Sequence, residues 1–229
     1  FNTDRYEHII CSLMNRIPMA DQFRESGIEV HSLGLNRRTD LSVLVRLRKL
    51  MKKVRPDILH TYLLHANVLG RIVGRLVGIP VIIGSERTIG QAGPCGRLAT
   101  KLSNPLTNAV EVNSELGARS IAIDLGVPPD KIEVVRSGVD LKKFGHSTNR
   151  AAIRSHLGLK KDQHLVLYVG RLRAVKGIEY GLRAFAAAQS QVNSIHMALA
   201  GEGELLDHLK NIVRELNLSD HVTFLGVRN

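Results

Sequence analysis

The chain has 229 residues, 44% of them hydrophobic, only 4% aromatic and none tryptophan, so it is long enough for one large or two ordinary cores built from Leu, Ile, Val and Ala. Lys plus Arg outnumber Asp plus Glu by 32 to 21, and a net charge of +11 implies an anionic partner: phosphate groups, acidic lipid headgroups or nucleic acid. Cys11 and Cys95 stand far apart without CxxC spacing, and no apolar run reaches the roughly 18 residues that span a bilayer, which argues against a disulfide scaffold, a zinc site or a membrane span and makes reducing cytosol the expected compartment.

Along the chain, short apolar runs alternate with stretches of helical period, the pattern of repeated strand-helix units and a parallel sheet. "HIICSL" (8–13) and "IEVHSL" (28–33) read as strands. "TDLSVLVRLRKLMKKV" (39–54) reads as a helix capped by Thr39 or Asp40, with Leu44, Leu47, Met51 and Val54 on one face. Pro56 closes it, and a strand is expected to end at His60. "ANVLGRIVGRLVG" (66–78) is helical with Gly70, Gly74 and Gly78 four residues apart, a spacing that suits close packing of helix on sheet. "PVIIGSE" (80–86) is a buried strand leading into the Gly-rich loop "RTIGQAGPCG", and "NAVEVNSE" (108–115) and "KIEVVRSGV" (131–139) complete one sheet.

At "DLKKFGHSTNR" (140–150) the periodicity stops, which marks a linker. Beyond it the rhythm restarts with a helix over 150–158, strand 164–170, helix 178–190, strand 195–201, helix 204–217 and strand 221–226. The expected organisation is an amino-terminal doubly wound domain over 1–140, a linker over 141–150 and a second, unfinished domain over 151–229. A start at Phe1 without methionine and a stop at Asn229 directly after a strand-like run suggest that both ends are cut.

In such sheets ligands bind beyond the carboxyl ends of the strands, where a loop meets the positive end of the next helix. "GRLRAVKG" occupies that place after strand 164–170. Arg171 offers a planar fork for phosphate oxygens, Lys176 adds a point charge, and Gly170 and Gly177 let the backbone turn toward an anion. A diphosphate would use all of these groups; ordinary solvated loop charges are the alternative.

The blocks "NSELGARSIAIDLGVPPDKIEVVRSGVDLKKF", "LYVGRLRAVKGIEYGLRAF" and "ALAGEGELLDHLKNIVRELNLSDHVTFLG" together resemble the retaining family 4 glycosyltransferases over nearly the whole chain. That resemblance implies a GT-B fold, with two Rossmann-like domains facing across a cleft, and transfer of a sugar from a UDP- or GDP-linked donor to a saccharide or lipid-linked acceptor hydroxyl with retained configuration, in envelope polysaccharide, lipopolysaccharide or glycolipid synthesis. It assigns Arg171 and Lys176 to the donor diphosphate and to charge on the leaving nucleotide. Gly201, Glu202 and Gly203 become the second donor loop, Val227 and Arg228 the region of the base, and Ser137 and Gly138 the cleft block. No cofactor or metal is implied, and no DxD carboxylate pair is present.

Three departures stand out. "NGVD" of the family reads "SGVD" here, exchanging an amide for the Ser137 hydroxyl. Where many relatives carry "HxH", this chain has "HTYLLHAN": Tyr62 holds the place of the second histidine, and His65 either serves in its stead or is a structural histidine at a helix start. The family's amino-terminal Gly-rich loop and paired-glutamate "EX7E" block lie outside the stretch, so a nucleotide-sugar-binding module without turnover is the rival reading. His60, Tyr62, Ser85, Glu86 and Arg87 are placed on the acceptor side. The basic helix, with Arg46, Arg48, Lys49, Lys52 and Lys53, fits either peripheral docking on anionic lipid at the inner face of the cytoplasmic membrane or a solvated helix face. Nucleic acid is not expected: interleaved aromatics, a recognition motif and a concentrated basic stripe are all missing.

Overall fold

The computed structural model describes residues 5–15, 17, 19–35, 40–87, 93–144, 150–160, 162–192 and 194–228. The chain divides into two compact units, residues 1–139 and 140–229. In the first, β1 (Ile9–Ser12), α1 (Ala20–Glu25), β2 (Glu29–Ser32), α2 (Ser42–Val54), β3 (Ile58–Tyr62), α3 (Leu64–Val77), β4 (Val81–Glu86), α4 (Pro94–Ser103), β5 (Ala109–Val112), α5 (Glu115–Leu125) and β6 (Ile132–Val134) alternate. The second contains α6 (Leu141–Phe144), α7 (Arg150–His156), β7 (His164–Val169), α8 (Ile178–Gln189), β8 (Ile195–Ala200), α9 (Leu206–Glu215) and β9 (Val222–Gly226).

All the strand pairs are parallel, as expected, but the first unit does not hold one sheet. Among the described residues β1 pairs only with β2, while β3, β4, β5 and β6 form a separate four-stranded sheet in that order. Several predicted strands also end early. "NAVEVNSE" leaves the sheet after Val112 because Ser114 caps α5, its Oγ accepting the Gly117 N–H at 3.1 Å. "KIEVVRSGV" pairs only over Ile132–Val134. Of the loop expected over 87–96, residues 88–92 lie outside the described residues, and the last three begin α4 with Pro94 in its first turn. The expected linker is in part helical, since Leu141–Phe144 makes a turn of helix before residues that lie outside the description.

Helix α2 starts two residues after Asp40, whose Oδ1 accepts the Ser42 N–H at 3.0 Å; Thr39 lies outside the described residues. Its buried face is Val43, Leu47 and Met51, which share a core with Leu33, Val73, Ile79 and Ile82. The glycines of α3 bring that helix onto the sheet. A Cβ at Gly70 would stand 2.5 Å from Thr61 Cγ2 and one at Gly74 2.9 Å from Ile82 Cδ1, whereas Gly78 ends the helix in the left-handed conformation (φ 81°). In the second unit β8 is buried along its whole length, and Leu172, Leu182, Leu199 and Leu209 close the core on its helices.

Candidate functional site

The parallel order β7-β8-β9 puts the carboxyl ends of three strands on one edge, and with them residues 170–177, 201–205 and 227–228. The loops after β7 and β8 are bonded backbone to backbone: Leu172 N–H donates to Glu202 O (2.9 Å), Leu205 N–H to Leu172 O (3.1 Å) and Gly201 N–H to Gly226 O (2.8 Å). A Cβ on Gly201 would lie 1.9 Å from Gly170 O, and one on Gly203 2.3 Å from Leu172 O, so only glycine permits this approach. Leu172 is fully buried as the anchor of the first loop, which leaves Arg171 pointing to solvent while Tyr168 Oη donates to its carbonyl at 3.1 Å.

Lys176 ends a single 3-10 turn, Ala174–Lys176, and Gly177 (φ 62°) then opens α8 without a side-chain cap. The first N–H groups of an α-helix have no intrahelical acceptor, and here they follow Lys176 directly in the chain with the positive end of the helix dipole. Glu179, in the same turn, is occupied: Arg183 Nη2 (3.0 Å) and His208 Nε2 (3.4 Å) hold its carboxyl below the usual range. Arg173 pairs with Glu204 at 3.7 Å, whereas Arg171 and Lys176 form no ion pair among the described residues. Glu202, Gly203, Val227 and Arg228 are exposed on the same edge. The predicted donor residues of the second unit are therefore brought together around two uncommitted cations, a helix N-terminus and a glycine-permitted backbone crossing, a set of groups suited to a diphosphate.

In the first unit, strand alternation separates residues that sit next to each other in sequence. Ser85 and Arg87 lie on the face of the sheet that carries His60 and Tyr62, and Glu86 lies on the other. His60 Nε2 meets Ser85 Oγ at 2.8 Å and Glu111 Oε2 at 3.0 Å, and Ser85 Oγ donates to Glu111 Oε2 at 2.6 Å. Arg87 Nη2 donates to Glu111 Oε1 at 2.7 Å, and its guanidinium lies 5.7 Å from the centre of the Tyr62 ring. Tyr62 stacks on His60 at 4.5 Å, with its hydroxyl 3.2 Å from His60 Nδ1. Burial is the largest influence on His60 and lowers its pKa against the opposing pull of Glu111. Glu111, the buried hub of this cluster, is absent from the sequence expectations, although an acid inside the apolar strand "NAVEVN" is a visible departure from pattern.

Glu86 does not join the acceptor-side group. Its Oε1 accepts from Asn67 Nδ2 at 2.9 Å and stands 3.5 Å from Arg71 Nη2, an arginine with no exposed surface that also donates to Asn104 Oδ1 (2.8 Å) and Ser103 Oγ (3.3 Å). Gly84 makes the room, since a Cβ there would stand 2.5 Å from Arg71 Nη2. His65 lies exposed in the first turn of α3, with no hydrogen bond to the His60 cluster among the described residues, beyond Leu63, whose φ of 71° is one that only a few non-glycine residues adopt. Ser137 and Gly138 are exposed beyond the end of β6, in the first unit. On α2 the basic face loses a member, because Arg46 turns inward to Leu33 O (2.6 Å) and Asp40 Oδ2 (2.7 Å), while Arg48, Lys49, Lys52 and Lys53 stay exposed. Among the described residues no helix is long and apolar enough to cross a membrane, and no group of three or more His, Cys, Asp or Glu side chains is placed to hold a metal ion.

Residues 8–138 match the family model described as glycosyl transferase 4-like domain, and residues 149–229 the one described as glycosyl transferases group 1. A UDP-Gal:alpha-D-GlcNAc-diphosphoundecaprenol alpha-1,3-galactosyltransferase of Escherichia coli is 29% identical over 205 residues, covering 83% of this chain and 52% of the relative. The D-inositol 3-phosphate glycosyltransferase of Mycobacterium tuberculosis is 37% identical over 119 residues, 50% of this chain and 24% of that protein. The Anabaena HepE structure in complex with UDP-glucose superimposes with a TM-score of 0.80 at 18% identity, over 96% of this chain and 61% of HepE. WaaG, a glycosyltransferase involved in lipopolysaccharide biosynthesis, superimposes with 0.66 at 12% identity over 99% of this chain and 63% of its own. The chain thus spans about half the length or less of these curated relatives.

Proposed function

The chain belongs to the family 4 glycosyltransferases of GT-B fold, and from that membership we propose that it serves in moving a sugar from a nucleotide diphosphate to an acceptor hydroxyl, with retention, in the synthesis of an envelope glycan or glycolipid. The observation that carries the reading is the edge of β7-β8-β9, where Arg171, Lys176 and the open N-terminus of α8 stand together without an anionic partner among the described residues. Breaking a sugar-phosphate bond leaves negative charge on the diphosphate, and cations already in place stabilise that charge most where it is greatest, in the transition state. In this reading the two side chains do the work that a resident metal does in other transferases. The exposed cations of α2 and the exposed Leu41 and Val45 beside them supply a surface for an anionic membrane, where a lipid-linked acceptor would lie.

Calorimetric titration with UDP and GDP tests the donor site. Each charge-assisted hydrogen bond to a phosphate contributes about 1.5–3 kcal/mol, so Arg171→Ala combined with Lys176→Ala weakens the preferred nucleotide by roughly a hundredfold or more. Saturable binding that survives in the double variant would place the nucleotide elsewhere and overturn the assignment.

A further inference from the structure

Helix α4 reverses the arrangement of its neighbours. In α2 the apolar face of Val43, Leu47 and Met51 is buried and the cations look outward. In α4 the buried residues are Thr100 and Ser103, with Gly96 and Ala99 half-buried beside them, whereas its two large apolar residues, Leu98 and Leu102, are 58% and 72% exposed. A spacing of four puts both leucines on one face. The inward side is already satisfied: Thr100 Oγ1 donates to Gly96 O at 2.9 Å, and Ser103 Oγ donates to Thr100 O at 3.1 Å and accepts from Arg71 Nη1 at 3.3 Å. Rotating the helix to bury the leucines would strip a partner from the fully buried Arg71. Arg71 and Arg75 also reach Asn104 Oδ1 and Leu106 O, each at 2.8 Å, so the second half of α3 runs beside the end of α4. That half exposes Ile72 and Leu76, the latter by 70%.

Charge selects what covers this apolar face. Between Leu64 and Val110 the sequence holds one acid, Glu86, and it is committed to Arg71 and Asn67. Arg97 and Lys101 stand exposed on α4 among the leucines and form no ion pair among the described residues. A second copy of the same face would set like charges against each other, and an acidic surface without apolar depth would leave the leucines in water. A bilayer with anionic headgroups meets both demands. We propose that the outward face of α4, with Ile72 and Leu76 of α3, inserts into the headgroup boundary of an anionic membrane, its leucines toward the acyl chains and Arg97 and Lys101 at the lipid phosphates. The inference deepens the membrane part of the reading above and rests on it. It differs in kind from the surface of α2, whose cations attract at a distance and fade with salt, because the leucines hold by leaving water.

Sedimentation of the full chain with vesicles of phosphatidylcholine, with and without phosphatidylglycerol, tests this. The wild type should bind the vesicles that contain phosphatidylglycerol. Leu98→Gln combined with Leu102→Gln, which keeps good helix formers at both positions, should weaken that binding roughly thirtyfold at low and at high salt. Lys49→Gln with Lys52→Gln, on α2, should weaken it at low salt only. Unchanged binding by the leucine variant overturns the insertion and leaves the α2 surface standing, whereas a wild type that binds neither kind of vesicle overturns both. Equal binding to the two kinds overturns the choice of anionic lipid. Because the chain contains no tryptophan, Leu102→Trp supplies a single fluorescent reporter that does not depend on the double variant. Its emission should shift to the blue with anionic vesicles and be quenched by bromine on the acyl chains. Absence of quenching overturns the insertion, and a blue shift that follows protein concentration without vesicles assigns the face to a second copy and overturns it too.

Discussion

Arg71 is a fully buried cation of the first unit that is costly to leave unbalanced. It has no exposed surface, burial opposes its charge, and its nearest carboxylate, Glu86, stands at 3.5 Å, with Asn104 and Ser103 as its other partners. Arg71→Met keeps length and flexibility but deprives Glu86 of its cation, leaving a carboxylate only 12% exposed with Asn67 as its donor among the described residues. Removing one partner of a buried pair costs about 3–5 kcal/mol, because the other charge stays desolvated. At roughly 3–4 °C per kcal/mol for a unit of this size, the melting transition falls by about 10–20 °C. Adding Glu86→Gln removes the stranded charge while keeping an acceptor for Asn67, so the double variant should recover about 2 kcal/mol or more. The assay is denaturant unfolding, with hydrogen exchange read on peptides from α3 and β4 so that the first unit is followed by itself. A single variant that costs less than about 1 kcal/mol, or a double variant whose loss is the sum of the two single losses, would refute the claim that the pair is one desolvated unit.

The remaining predictions concern the loops and the histidines. Gly201→Ala combines a φ of 140° with a Cβ 1.9 Å from Gly170 O, and should destabilise the second unit by about 3 kcal/mol or more and abolish nucleotide binding. Gly181→Ala, in α8 with nothing within 4 Å of the new Cβ, should stabilise by about 0.5–1 kcal/mol; equal melting temperatures for the two variants would contradict the crossing of the loops. His60 and His196 are both held by burial below the ordinary histidine value of 6.5. Unfolding raises their affinity for protons, so the stability they contribute is present above 6.5 and is lost as pH falls through their folded values. A melting temperature that drops between about pH 7 and pH 5 in the wild type, and drops less in His60→Gln, is expected; a steeper fall in the variant would reverse the assigned sign.

The second unit was readable because each of its decisive features is local. β8 is buried on both faces and so appears as an apolar run interrupted only by His196, and the loop after β7 carries its glycines and cations within eight residues of sequence. Helix α4 escaped because "GQAGPCG" has the composition of a loop, although proline at the first helical position is also a start signal. The break between β1–β2 and β3–β6 escaped too, since apolar runs announce strands but not which edges meet.

The first-unit cluster was hidden for a different reason. "SER" at 85–87 looks like one polar group, yet a period of two sends Glu86 to Arg71 and keeps Ser85 and Arg87 with His60. Glu111 joins them through the register Ser85↔Glu111 between β4 and β5, a pairing that no local pattern in either strand encodes. A residue brought in by register alone should also be the one most sensitive to register. A substitution that slipped β5 by one residue would turn Glu111 to the opposite face and put Val110 or Val112 against His60. The contacts of His60 with Ser85 and Glu111 are therefore a reporter of strand pairing, lost together with the core positions of Val110 and Val112 if the register slips.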